Sequence, residues 1–538
     1  MNVAESRHRI LESLRRLRSH GPLLILIGAF VLVHSFYWDC PPIWDGMADF
    51  VDLYKAKQRP FDLLNYGVDG HNCQGFMLVM GLPYALFQRN YHLFNIWFTL
   101  FGLFSVIGFY QLLAFFLEEC LQKWEMALMT ALFVFHPSVV SGMMHFCLDV
   151  GVLVFFVLYW VQLLKERRAA AALLGLLLVF SKETALLLLP IPFVFCLLRH
   201  NRSDQWQWFR RHLGVLAVPY LAFGFFVVYK TMYRHELGVW RFYPGYDSYT
   251  AFGPARVAVN YFGELPSLIN YLGMIFVMNF NWLLVLLWGV LLGMVLGRRR
   301  PEKPAPQRRT AFLLLFCFVA ATIVLTLVRP YSNVRYVMVA FPIMFLAVVQ
   351  LSCVAGVSSL TRAAWALAGL ALFAWADLRT IDPVSKAFFG TFNFGSHPML
   401  YMTKRTGEPV GFGQDQLVYN LEFVKFRQLL EMAMRDIRPT AQTYFLSYPK
   451  ISGYTFTSLD RDCRLTFETN GAFSPQYLSS ARLLQLPRLP KDVYYLDFPN
   501  YDSRADIALA GEHYPQKTAR VYDLNGYQLN VIHFELGQ

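Results

Sequence analysis

The chain has 538 residues, of which 56% are hydrophobic, 17% aromatic and only 16% charged, and its mean hydropathy is +0.37; this composition excludes an ordinary soluble domain and describes a polytopic α-helical membrane protein. The formal charge of +12 does not point to nucleic acid, because the basic residues fall in short clusters between apolar runs, as cytoplasmic loops do. Eight cysteines without any C-x-x-C spacing exclude a zinc-finger or thioredoxin-type motif.

Arg7, Arg9, Arg15, Arg16 and Arg18 precede the first apolar run, a basic flank that keeps the N-terminus in the cytoplasm. No small-residue cleavage site follows Leu32, and aromatic residues and Pro41-Pro42 come instead, so the first span is read as uncleaved. Hydrophobic patterning predicts spans over Leu23–Phe36, His92–Leu117, Trp124–Val140, Val150–Leu164, Ala169–Ser181, Thr184–Leu198, Leu213–Lys230, Ile269–Leu296, Ala311–Val328, Tyr336–Val354 and Thr361–Ala376. These make about eleven helices, several below the roughly 20 residues of a full crossing.

Between them, Lys165–Arg168, Arg199–His212 and Arg298–Arg309, the last holding a Pro-rich linker, all take the cytoplasmic side under the positive-inside rule. Residues 38–91 and 231–268 then become outer loops of a transmembrane unit, 1–376, in a multi-pass inner (plasma) membrane protein. Phe76–Phe87 is apolar but short, and a crossing there would turn the three basic clusters outward, so it is read as an interfacial helix. Glu118-Glu119 before Lys123 stands against the rule, since that cytoplasmic loop has no net positive charge. Cys40 and Cys73 share the first outer loop, either as a disulfide or as two separate thiols.

From Asp377 to Gln538 charges, Gly and Pro become regular. Alternating runs at Asp492–Leu496 and Tyr527–Ile532 predict strands, and helical spacing covers Phe423–Ile437. Residues 377–538 are therefore expected to form a soluble α/β domain, placed by parity on the extracytoplasmic side.

The chemistry-bearing residues stand at the ends of apolar segments. Asp45 and Asp149 place carboxylates just outside two spans, and Lys182 and Arg335 place cations at the ends of two others. Arg329 and Arg335 flank a turn containing Pro330 and Asn333; arginines outside run against the charge bias, which points to anion binding. His71 and His145 are candidate acceptor or phosphate contacts, and Tyr243–Tyr249 is either an aromatic gate or packing for the soluble domain. Plainer readings exist for each: Asp45 and Asp149 as helix N-caps, Asp39 in the same setting as Asp45 without a motif, and Lys182-Glu183 as a local ion pair.

The stretches Pro42-Ile43-Trp44-Asp45-Gly46-Met47-Ala48-Asp49 and Gly70-His71-Asn72-Cys73-Gln74-Gly75-Phe76, with Asp149, Phe180-Ser181-Lys182-Glu183-Thr184 and Asn333-Val334-Arg335-Tyr336 followed by Pro342, resemble in order and sidedness the GT-C superfamily of lipid-phosphate-sugar glycosyltransferases. Aminoarabinose transferases of lipid A and protein O-mannosyltransferases are similar in layout. The resemblance covers about Leu23 to Leu346. It departs from the family where Asp45 is followed by Gly46 and where His71-Asn72-Cys73-Gln74 replaces the usual His-Pro-Pro or Lys-Pro, so the acceptor class is not inherited.

The resemblance implies transfer of a sugar from a polyprenyl-phosphate donor to an extracytoplasmic glycan or lipid acceptor, with protein as second choice and membrane lipids around the site. Asp45 is implied as base, Asp149 as its support, and Arg335 and Lys182 as phosphate contacts. Some members hold a divalent metal ion with the two loop acids, which would be Asp45 and Asp149. A transporter or flippase of lipid-linked sugars is the rival reading, and a non-catalytic scaffold is a third.

Overall fold

The computed structural model describes residues 21–40, 74–87, 91–144, 146–182, 184–234, 273–279, 281–297, 305–328 and 338–379, then 384, 387, 390–394, 397–403, 409–411, 428–429, 432–438, 443–446, 476–478, 483–497, 504–524 and 527–537. Asp45, His71, Cys73, His145, Glu183, Tyr243–Tyr249, Arg329 and Arg335 lie outside the described residues. The helices are α1 (Gly21–Ser35), α2 (Gln74–Phe87), α3 (Tyr91–Leu117), α4 (Lys123–Val134), α5 (Pro137–Met144), α6 (Leu148–Leu164), α7 (Arg168–Val179), α8 (Ala185–Leu188), α9 (Pro190–Arg199), α10 (Arg202–Arg234), α11 (Trp282–Gly297), α12 (Ala305–Val328), α13 (Ala340–Val354) and α14 (Ser359–Arg379).

Among the described residues, three helices reach crossing length and hydropathy by themselves: His92–Leu117, Arg202–Tyr229 and Ser359–Leu378. The bent pair α4 and α5 makes a fourth, and six more apolar helices run 10–17 residues. At the centre lies α13, with all 15 residues buried, as expected of a helix that is hydrophobic all round. It packs against α3, α4, α11 and α12. On the periphery Leu221 and Phe225 of α10, Leu286 and Val290 of α11 and Leu367 and Trp375 of α14 stay exposed, an apolar exterior that only lipid covers without cost.

Several predicted spans are broken, each for a local reason. Trp124–Val140 is not one helix: α4 and α5 meet at 61°, because Pro137 supplies no N–H to continue the ladder and opens α5 instead. Thr184–Leu198 divides at Leu189, with Pro190 as the first residue of α9. Ile269–Leu296 contains a π-helical turn, Met274–Asn279, and Asn281 at φ 64°, whose side chain accepts from Leu283 N at 2.9 Å and so starts α11. The last span runs on through Asp377 to Arg379. The apolar stretch at 76–87 is indeed helical, from Gln74, and packs on α3 and α7.

The turn after Glu118-Glu119 is tied to the start of α14. Arg362 of α14 pairs with Glu125 at 2.8 Å and donates to the carbonyls of Val357 and Cys120. Glu125 also closes a capping box with Gln122 at the start of α4.

Beyond α14 the strands are β1 (Gly390–Phe394), β2 (His397–Thr403), β3 (Pro409–Gly411), β4 (Tyr444–Leu446), β5 (Gln476–Leu478), β6 (Asp492–Asp497), β7 (Gln516–Leu524) and β8 (Tyr527–Glu535), with helix α15 (Arg504–Gly511) before β7. The first three form an antiparallel sheet, and the others form a mixed sheet in the order β5-β4-β6-β8-β7. Both alternating runs noted in the sequence are strands, β6 and β8. The Phe423–Ile437 segment is helical over Met432–Ile437.

Candidate functional site

Of the residues singled out from sequence, the structure describes Asp149 and Lys182 and brings them into contact. Lys182 Nζ lies 2.5 Å from Asp149 Oδ1, with both side chains buried. Lys182 therefore has a partner 33 residues upstream, while Glu183, the local partner weighed from sequence, lies outside the described residues. Its position follows from local structure: α7 ends at Val179, Ser181 N and Ser181 Oγ donate to Leu178 O and Leu177 O, and Lys182 O accepts from Ala185 N at 3.0 Å. A cation just past a helix C-terminus faces its partial negative charge.

Asp149 is not the N-cap expected for a helix opening at Val150. The helix starts at Leu148 with Cys147 as N-cap, and Asp149 sits in its first turn, where the helix dipole favours a carboxylate. Asp149 N donates to Cys147 Sγ at 3.4 Å, and the thiol donates to Asp149 Oδ2 at 3.3 Å. Just before it, Phe146 is held at φ 54°, a left-handed conformation that costs a bulky residue about 1–3 kcal/mol. Buried aromatic packing offsets that cost: Phe146 stacks on Phe76 at 5.2 Å and meets Phe94 and Phe98 edge-on at 4.5 and 5.0 Å.

The same aromatic cluster anchors α2. Gly75 N donates to Phe180 O at 2.7 Å, and a Cβ at Gly75 would stand 2.5 Å from Leu177 O, so only glycine lets α2 approach the end of α7. Phe76 lies against Gly151 with the same intolerance, 2.4 Å to an added Cβ. The segment leading to Asp149, the start of α2 and the turn of Lys182 are thereby joined.

The exit of α1, which leads towards Asp45, is fastened at the same end of the bundle. Asn95 of α3 shares its amide protons among the carbonyls of Cys40 (2.8 Å), Trp38 (3.0 Å) and Tyr37 (3.4 Å). Trp38 Nε1 donates to Thr99 Oγ1 at 3.0 Å. Asp39 pairs with His92 at 2.8 Å on the exposed surface, so this carboxylate faces outward. Asn95 and Thr99 escaped the sequence reading, although polar side chains inside a long apolar span were the available signal.

Cys40 is a free thiol packed beside Val140 and Met144, and burial with the Asp39 charge pushes it up to about 11. Burial, followed by the charges of Asp377 and Cys40, pushes the Tyr37 phenol up to about 12.

No protein-family model matches the chain, and no curated protein matches it. Two solved structures do: ArnT from Cupriavidus metallidurans bound to undecaprenyl phosphate, 13% identical with a TM-score of 0.52, covering 95% of this chain and 98% of that one, and ArnT from the same organism in the apo state, 14% identical with a TM-score of 0.51, covering 96% and 98%. The chain thus shares the fold of these two structures over nearly its whole length.

Proposed function

We propose that the protein is a membrane glycosyltransferase that moves a sugar from a polyprenyl-phosphate donor to an extracytoplasmic lipid-linked glycan or lipid A-like acceptor. The observation that carries this reading is the buried Asp149–Lys182 pair at the end of the bundle that also holds the exit of α1, in a fold like that of a protein crystallised with undecaprenyl phosphate. The proposed arrangement has eleven crossings, a cytoplasmic N-terminus and residues 377–538 as an outer α/β domain near the acceptor.

Transfer needs a base for the acceptor hydroxyl and cations for the departing phosphate. Asp45 takes the acceptor proton as the acceptor oxygen bonds to the anomeric carbon. The bond from that carbon to the phosphate oxygen breaks, and the phosphate keeps the electron pair. Arg335 grips the phosphate through its planar fork, with Arg329, His71 and His145 as further contacts. Lys182 adds a point charge, and Asp149 supports the reaction by holding that ammonium in place.

A divalent ion would be held by Asp45 and Asp149 and would stabilise charge on the departing phosphate; of the two, Asp149 meets Lys182 through one oxygen and the Cys147 thiol through the other. No step is routed through one.

The test is mass spectrometry of extracted lipids and surface glycans from cells lacking the protein, complemented with wild type or Asp45→Asn at matched expression. One glycan short of a sugar in the deletion, restored by wild type and not by the variant, is the expected result and identifies the sugar. Full restoration by Asp45→Asn makes Asp45 a structural cap and favours the flippase reading.

A further inference from the structure

A second cluster of ligating side chains lies far along the chain from Asp149, on the mixed sheet. Strands β6 and β8 pair antiparallel in a register that sets Asp492 opposite Glu535 and Tyr494 opposite His533. With a side-chain period of two, these four share one face of the sheet. Two carboxylates directly opposite on neighbouring strands repel each other, so the pairing favours a positive charge between them. Among the described residues the ion pairs of Asp492 and Glu535 run to His533 alone, at 3.1 Å to Nε2 and 3.5 Å to Nδ1.

The imidazole is held by stacking on Tyr494, 4.3 Å between centroids and 5° from parallel. All three side chains are half-buried, on strands whose opposite face packs Val493 and Phe534 into a small core. Burial, then the charges of Asp492 and Glu535, raises the Tyr494 phenol above its ordinary range; both carboxylates therefore bear on the face that carries the imidazole.

We propose that Asp492, His533 and Glu535 form a site for a divalent transition cation of the zinc class. One ligand atom from each lies within 4.8 Å of the other two. A tetrahedral ion with bonds of about 2.0–2.1 Å draws its ligands to roughly 3.4 Å apart, which small side-chain rotations achieve on a fixed pair of strands. One imidazole nitrogen and two carboxylates suit zinc better than magnesium, which prefers an oxygen-only shell with water. The ion cancels the cross-strand repulsion and ties β8 to β6. It is separate from the transfer chemistry proposed above and stands or falls independently of it.

The test uses the full-length protein in detergent, stripped with a chelator and titrated with zinc alone at neutral pH. Wild type is expected to take up one equivalent more than His533→Ala and Glu535→Gln, with a zinc-dependent rise in Tm that both variants lose. Equal uptake by wild type and both variants overturns the site and leaves His533 as a polar bridge between two carboxylates. X-ray absorption on zinc-loaded wild type gives a readout independent of variant folding. A nitrogen and oxygen shell near about 2.0–2.1 Å supports the assignment, and a sulfur shell near about 2.3 Å overturns it.

Discussion

Asp149 and Lys182 were both legible in the sequence as charges at the ends of apolar segments, but their pairing was not. It depends on which turn of α6 faces the end of α7, 33 residues further along the chain. Removing one partner of a buried pair strands the other charge, typically at a cost of about 3–5 kcal/mol. Asp149→Asn and Lys182→Met are each expected to lower the Tm of the purified protein sharply, while the double variant recovers much of the loss. A double variant that loses the sum of the two single effects would show that the side chains do not act as a pair. Asn95 gives the opposite lesson: its signal was present, one of two side-chain amides in a 27-residue apolar helix, yet its role came from carbonyls more than 50 residues away.

Among the elements, helices were legible because each apolar segment must satisfy its own backbone in lipid. The breaks at Pro137 and Pro190 could have been read from the missing N–H, and a hydropathy window averaged across them. The approach of α2 to α7 was not readable, because a glycine inside an apolar stretch looks the same whether it faces lipid or a carbonyl. Gly75→Ala, with its Cβ 2.5 Å from Leu177 O, is expected to cost about 1–3 kcal/mol through forced displacement. Gly28→Ala, with nothing within 4 Å, is the control and should leave Tm unchanged or raise it slightly, since alanine is the better helix former. Equal effects of the two substitutions on Tm would refute the contact.

For the whole molecule, the proposed orientation sets the Lys165–Arg168 turn and the β-sheet region on opposite sides of the membrane. In a background lacking the exposed native cysteines, a membrane-impermeant maleimide added to intact cells is expected to label Glu512→Cys and to leave Arg167→Cys unlabelled until the membrane is opened. Labelling of both from outside, or of Arg167→Cys alone, would invert or break the topology. Membrane character, the helical class, the positions of most apolar segments and the strands β6 and β8 were determined by the sequence alone, since composition and periodicity act within one segment. Tertiary structure alone decided the Asp149–Lys182 pair, the capture of the α1 exit by Asn95, the docking of Arg362 on Glu125 and the meeting of Asp492, His533 and Glu535. Each of these joins residues far apart in the chain, and the register of one packed helix or strand against another, which has no local code, sets the distance between them.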